Sequence, residues 1–504
     1  MNKQLKHVPN IVLITLDAFN YNIALQNLNS LPTFKKLKEC GVSFENAFSI
    51  GPNTFFAFPG IISSIYPYYF GVGIPREIET IASLLKRKGY HTALINEANA
   101  LLTPYYGYHK GIDYQEHFLN LSHDKRDRKL KEVFLRKNKG SEVRITNGRI
   151  SSLITNIGFK IQRITPLRKS LRAVYAPYKF FTLNVSNTTE CYRERRILHE
   201  EFRAKIKWFI STKFKEPQFL WIHTIVNHLP YLPPDTKKFS EDEINHLNYI
   251  GLSRFMIKSN IHKLKKLYIE SLKTTDRLLE FVINELDKNN FLQNTLVIIT
   301  ADHGEEFMEN TNYYGHTPES SSDELLHIPL ILYNLSDIID INETRPNVLV
   351  SNMDILPTIA DLVDIPEERI NRICGQSLLP KIVHPEDNLQ YSSRVLYSEA
   401  WQLNGLLDRV PGYLHDSAIF TVRYGEYKLK AIIERKNGYY TEKHISLSNW
   451  ISNKELEIAE YYQEYLTLYY LLTKHLHEGY LFAKKVKQEY EMQKVRKHLS
   501  KIKV

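Results

Sequence analysis

An aspartate and a histidine stand side by side in Ala301-Asp302-His303-Gly304-Glu305, directly behind the apolar run Thr295-Leu296-Val297-Ile298-Ile299-Thr300. Asp offers a hard anionic oxygen and neutral His a nitrogen, which together make half a site for a divalent cation. Asp-His-Gly is also an ordinary turn sequence, so its weight comes from two further runs built the same way. Asn10-Ile11-Val12-Leu13-Ile14-Thr15-Leu16 ends at Asp17, and the run that opens Gln218-Phe219-Leu220-Trp221-Ile222 leads to Asn227-His228. A hydroxyl completes the set. Gly51-Pro52-Asn53-Thr54 reads as a turn entering a helix, with Thr54 as its N-cap. Free backbone N–H groups and the positive dipole end favour an anion beside such a hydroxyl. A nearby divalent cation would turn it into an alkoxide nucleophile.

These residues need elements that bring them together. Strands so continuously apolar are buried on both faces, as in a parallel sheet covered by helices. Open sheets of that kind gather ligands at the carboxyl ends of their strands. Asp17, His228 and Asp302-His303 are therefore expected on one rim. The intervening segments agree: residues 32–39 read as a helix closed by Gly41 before Val42-Ser43-Phe44, residues 77–88 as a helix ended by Gly89, and residues 92–95 as the next strand. Residues 264–286 form a long amphipathic pattern that feeds the strand before Asp302. This rhythm predicts an α/β fold with a large, mostly parallel central sheet and helices on both faces.

Six ordered motifs resemble the alkaline phosphatase/sulfatase superfamily. They are residues 10–17, 31–49, 54–67, Gly315-His316 followed by Asp323-Glu324-Leu325-Leu326-His327-Ile328-Pro329-Leu330, Val350-Ser351-Asn352-Met353-Asp354, and Gly375-Gln376-Ser377-Leu378-Leu379-Pro380. The resemblance implies an alkaline phosphatase-like fold, a metal held by Asp17, Thr54, Asp302 and His303, and Thr54 as the nucleophile. His316 falls where members carry a second-site histidine or a substrate-binding group. Val226-Asn227-His228-Leu229-Pro230-Tyr231 is similar to a segment of phosphoglycerol-type transferases in which the histidine contacts the transferred phosphate. Asn227 stands where many members have an acid, so one tight site for Mn, Zn, Mg or Ca is expected. His228, His316 and Asn227 are left for a second metal or the substrate phosphate.

Formylglycine-dependent sulfatases oxidise a Cys or Ser in Cys/Ser-x-Pro-x-Arg. Here the positions read Thr54-Phe55-Phe56-Ala57-Phe58, without the Pro and the Arg, and threonine cannot become formylglycine. The resemblance then implies phosphodiester hydrolysis, or transfer of a phosphoryl-linked group to a glycan or lipid, through a covalent Thr54 intermediate. The rivals are sulfate-ester hydrolysis and a non-catalytic protein that binds polyanions.

The family landmarks lie within residues 1–390 of the 504; residues 391–450 read as a small α+β subdomain with strands at residues 394–399 and 418–432, and residues 451–504 as a charged helical tail. The net charge of +10 is uneven: residues 122–173 hold 15 Lys and Arg against 4 Asp and Glu, which leaves the remainder close to neutral. This basic insertion, extending to about residue 200, suits an anionic membrane surface or phosphorylated glycan. Residues 166–181 interleave its charges with Leu, Val, Tyr and Phe, which suits an interface. No nucleic-acid module accompanies the charge, so specific nucleic-acid binding is not expected. Cys40, Cys191 and Cys374 show neither zinc spacing nor a disulfide framework. The sequence shows no signal-peptide core and no run of about 18 apolar residues. The expectation is a cytoplasmic protein, peripheral at most at the inner membrane face.

Overall fold

Every residue of β1 (Asn10–Leu16) is buried. Successive strand residues point to opposite faces, so β1 must be covered on both sides. The computed structural model describes residues 8–99, 101–118, 188–252, 258–309, 311–366, 373–384, 394–401, 417–436 and 439–499. Besides β1, its central sheet contains β2 (Val42–Ser43), β3 (His91–Asn96), β4 (Tyr114–His117), β5 (Gln218–Thr224), β6 (Thr295–Ala301) and β7 (Leu330–Tyr333). The seven strands run in the order β2-β7-β6-β1-β5-β3-β4. β6, β1, β5, β3 and β4 are mutually parallel, and β7 pairs antiparallel with both β6 and β2. β5 and β6, like β1, are buried throughout.

The helices that matter to the site are α1 (Pro32–Cys40), α2 (Thr54–Ser63), α3 (Ile81–Arg87), α4 (Thr188–Thr212) and α5 (Lys258–Lys288). α3 begins four residues later than the pattern from Glu77 suggests. Thr80 takes the Ser83 N–H while the Ser83 hydroxyl takes the Thr80 N–H, and this reciprocal cap sets the start.

Beyond residue 390 the chain builds a five-stranded antiparallel sheet from β8 (Val395–Trp401), β9 (Ser417–Tyr424), β10 (Tyr427–Lys436), β11 (Tyr439–Asn449) and β12 (Lys454–Leu456). The stretch expected as strand at 418–432 is a hairpin, turned at Gly425 with φ +58°. The helix expected from about residue 451 starts later, because Lys454–Leu456 first pairs with β11. α6 (Tyr462–Leu499) then follows, and it is no free tail. Its Leu468, Leu472 and His475 are buried against an apolar cluster formed with Trp401 and Phe420 of the small sheet, Phe56 of α2 and Tyr68 just after it. No helix among the described residues is long and apolar enough to cross a membrane. The basic stretch 122–173 and the interleaved segment 166–181 lie outside the described residues.

Candidate metal centre and nucleophile

β1 lies between β5 and β6, so the three apolar runs singled out in the sequence are adjacent and deliver their terminal residues to one rim. The Asp17 N–H still bonds to Thr224 O at 3.0 Å, and the next residue breaks away. Ala18 has φ +54°, a left-handed conformation rare for a residue with a Cβ. That turn aims its N–H at Asp302 Oδ1, 3.3 Å away. The His303 N–H reaches the same oxygen at 2.8 Å. Gly304 lets the chain leave the rim: a Cβ there would stand 1.9 Å from the Glu324 carbonyl oxygen.

α2, the helix that carries Thr54, is capped by Asn53, whose side chain accepts the Phe55 N–H at 3.2 Å. Thr54 is therefore the first helical residue rather than the cap, and its hydroxyl is released for another task. It donates to Asp302 Oδ2 at 2.9 Å and lies 3.5 Å from His303 Nε2. His303 Nε2 is also 3.5 Å from Asp17 Oδ1 and 3.5 Å from Asp302 Oδ2. Asp17, Asp302 and His303 are all fully buried, with ligand atoms within 4.8 Å of one another.

These residues fit a divalent cation. His303 Nδ1 lies 2.8 Å from Gly304 O, which assigns its proton to Nδ1 and leaves the Nε2 lone pair facing the carboxylates. Burial pushes the His303 imidazole down to about 3, so it stays neutral, as a ligand must. Burial, reinforced by the charge of Asp17, pushes the Asp302 carboxyl well above the usual carboxylate range. Burial also opposes ionisation of Asp17, but the surrounding histidines, the charge of His228 foremost, together outweigh it and hold that carboxyl well below its ordinary value. Asp17 Oδ1 is buried without a hydrogen-bond partner. Two buried carboxylates, one with an unfilled oxygen, lack only positive charge between them.

His316 returns to the rim through the short hairpin of Glu306–Phe307 with Tyr314–Gly315. Its ring centroid stands 4.6 Å from that of His303 and 4.7 Å from that of His228. Burial disfavours charge on His316, yet Glu305, whose Oε2 is 3.0 Å from Nδ1, outweighs it and raises the imidazole above its ordinary value. Burial lowers His228, with Asp17 opposing. The side-chain oxygen of Asn227 accepts from Thr275 Oγ1 of α5 at 3.0 Å, while its Nδ2 is buried without a hydrogen-bond partner.

Three participants escaped the sequence reading of roles. Glu305 orients His316 and keeps a second buried oxygen, Oε1, without a partner. Asn99 donates to Asp17 Oδ2 at 2.9 Å and also approaches His223 Nε2 at 3.0 Å. Asn99 follows the carboxyl end of β3, so the rule that found Asp17 and Asp302 applies to it as well. His223 lies inside the apolar run of β5, and its one signal is a polar residue in an otherwise buried strand.

A hydroxyl beside a buried carboxylate–histidine group that could hold a cation, at the carboxyl rim of a parallel sheet, has the chemistry that metal-assisted ester cleavage needs. The sequence model of the Sulfatase family matches residues 9–365, and the chain belongs to this family of hydrolases. Among curated relatives it is 28% identical to arylsulfatase K of Rattus norvegicus over 233 residues, which span 45% of this chain and 36% of that protein's length. Among solved structures it is similar to the phosphonate monoester hydrolase SpPMH of Silicibacter pomeroyi, with TM-score 0.56, 16% identity, and coverage of 93% of this chain and 95% of that one. A 2-O GAG sulfatase superimposes with TM-score 0.60 at 14% identity, covering 96% of this chain and 94% of that one.

Proposed function

We propose that this chain cleaves a phosphate ester, a phosphodiester above all, through a covalent intermediate on Thr54. The observation that carries the reading is the Thr54 hydroxyl bonded to Asp302 Oδ2 at 2.9 Å inside the buried Asp17–Asp302–His303 cluster. A divalent cation held by Asp17, Asp302, His303 and the Thr54 oxygen, as Mn, Zn, Mg or Ca, would supply Lewis acidity and lower the pKa of the hydroxyl. Asp302 aligns the Thr54 hydroxyl and accepts its hydrogen, so an oxygen lone pair faces the substrate. Thr54 Oγ1 bonds to phosphorus, and the bond to the departing ester oxygen breaks with its electron pair. His316, paired with Glu305, donates the proton that the departing oxygen needs, and His228 steadies charge on the phosphoryl oxygens. Water then attacks phosphorus and gives its proton to His316, the bond from phosphorus to Thr54 Oγ1 breaks with its electron pair, and Asp302 returns the hydrogen to Oγ1, which frees the product and restores Thr54. A sugar or lipid hydroxyl in place of that water makes the same sequence a transfer.

Sulfate-ester hydrolysis is the second reading, favoured by the family match and by the arylsulfatase name of the curated relatives. Against it stands the residue at position 54, since threonine cannot supply the aldehyde on which formylglycine sulfatases rely. The test is a screen of purified protein, loaded with each of the four metals, against aryl phosphodiesters, phosphomonoesters and sulfate esters. Fastest turnover is expected on the diesters, with acid-stable phosphate trapped on Thr54 after quenching. Fastest turnover on sulfate esters, with no phosphothreonine, would transfer the assignment to the second reading.

A further inference from the structure

We propose that His223 and Asn99 form a positioning relay that holds back one oxygen of Asp17 and presents the other to the metal. This rests on reading the Asp17–Asp302–His303 cluster as a cation site, and not on the identity of the ester. The relay begins in the core. Trp221 Nε1 donates to Thr15 Oγ1 at 2.9 Å, and Thr15 Oγ1 lies 2.9 Å from His223 Nδ1 and 3.4 Å from Ile222 O. On its other side, His223 Nε2 faces Asn99 Nδ2 at 3.0 Å. The orientation of that amide is fixed, because Asn99 Oδ1 accepts the Leu101 N–H at 3.0 Å.

A single pattern of hydrogens satisfies all these atoms. Asn99 Nδ2 is a donor with two hydrogens, one directed at Asp17 Oδ2 and the other at His223 Nε2. His223 Nε2 must therefore be an acceptor, which places the imidazole hydrogen on Nδ1. Thr15 Oγ1 receives that hydrogen together with the one from Trp221, and sends its own to Ile222 O. The opposite tautomer would set two donors against each other at 3.0 Å between Asn99 and His223. The result is a closed network from Trp221 to Asp17 Oδ2, while Asp17 Oδ1 has no hydrogen-bond partner and lies toward His303 Nε2. Thr15, Asp17, Trp221 and His223 are at most 1% exposed and Asn99 8%, so the network is shielded from bulk water. His223 stands behind the carboxylate rather than among the ligands: the group of convergent ligand atoms found among the described residues is Asp17, Asp302 and His303.

Partners behind a ligating carboxylate commonly contribute about 10- to 100-fold in metal affinity. The experiment titrates metal-free protein with Mn²⁺ by calorimetry and repeats the titration with Zn²⁺, with no substrate present. His223→Phe keeps the ring and removes the relay; Asn99→Ala removes its last link. Each should weaken the tighter-binding metal by about 10- to 100-fold. The double variant should lose little more than the worse single one, because both changes cut one chain. His223→Gln, whose side-chain oxygen can accept from Asn99, should recover part of the loss. Phe58→Leu, which alters packing against the same imidazole (ring centroids 5.2 Å apart), should lower the melting temperature and leave the metal Kd unchanged. Wild-type affinity in folded His223→Phe or Asn99→Ala overturns the proposal, as do fully additive losses or a wild type that takes up neither metal. Should His223→Phe fail to fold, Asn99→Ala and His223→Gln decide the matter. Metal affinity is read without an ester, so failure here is separable from failure of the phosphodiester reading.

Discussion

Two buried histidine–carboxylate groups in this molecule use the same residue types to opposite ends. Under the small sheet, Glu399 Oε1 meets His475 Nε2 at 2.6 Å and Oε2 accepts the Tyr68 N–H at 2.8 Å. His475 Nδ1 meets the Tyr69 hydroxyl at 3.0 Å, and the imidazole stacks on Tyr397 with centroids 4.0 Å apart. Every polar atom of that pair is taken by the protein. On the rim of the central sheet, Asp17 Oδ1 and Glu305 Oε1 are equally buried and have no hydrogen-bond partner. Burial and residue type therefore do not mark a site by themselves; unfilled hydrogen-bonding capacity around converging ligands does. The closed group fastens α6 to the segment just after α2, whereas the open one is where we propose that a cation and the substrate anion bind.

The comparison is most exposed to failure at Thr54. Thr54→Ala should lower turnover on the order of 10⁴-fold, about 5 kcal/mol of barrier, with the metal still bound. Asp302→Asn should instead lose the metal, and His316→Ala should retain it while turnover falls. Elemental analysis beside steady-state rates separates these outcomes. Metal loss as large in His316→Ala as in Asp302→Asn would mean that the rim holds a second cation.

Glu399→Ala tests the closed group. It leaves His475 and the Tyr68 N–H without their buried partner, at a cost of about 3–5 kcal/mol in stability. The Mn²⁺ affinity of the folded fraction should not change. A weakened metal site in that variant would show that the two regions are not separate.

How far the sequence carried follows from the same contrast. The rim was legible because a buried parallel strand leaves a local mark, an apolar run with a polar residue at its end, in Asp17 and in Asp302-His303. The family motifs then pointed to Thr54. What stayed hidden depends on contacts distant in sequence. His223 reads as one polar residue in an apolar strand until Asn99 and Thr15 stand on either side of it. The contact of Asn227 Oδ1 with Thr275, on a helix, has no mark in the sequence around position 227 either. The 38-residue helix α6 reads as a charged tail, because its inward face is spelled by Leu468, Leu472 and His475 amid polar neighbours.

A smaller effect comes from Asp323, which joins the family motif region to the small sheet through Arg423 and Lys428. Burial opposes its charge, but Arg423 and Lys428 outweigh it and hold the carboxyl down at about 2. An aspartate depressed in the folded state stabilises fully above its unfolded value, near 3.9, and that contribution disappears as pH falls through about 2. Asp323→Asn should thus lower stability by about 2 kcal/mol at neutral pH and by progressively less below about pH 4. Denaturant melts at several pH values check this. An undiminished difference at the acid end would show that the asparagine strains the site rather than removing charge.

The smallest expected effect is the most diagnostic of how the nucleophile is freed. Asn53 accepts the Phe55 N–H, so the Thr54 hydroxyl is not used as the cap. Replacing such a cap by alanine costs about 1 kcal/mol. Asn53→Ala should therefore lower the unfolding free energy by about that amount. It also leaves the first turn of α2 short of an acceptor beside Thr54, whose hydroxyl donates to Asp302 Oδ2 at 2.9 Å. Turnover should fall severalfold with metal affinity intact, and Asn53→Asp or Asn53→Ser, which keep a capping oxygen, should restore it. Equal turnover in Asn53→Ala and wild type would mean that Asp302 alone fixes the hydroxyl, and that the helix start contributes stability but no alignment.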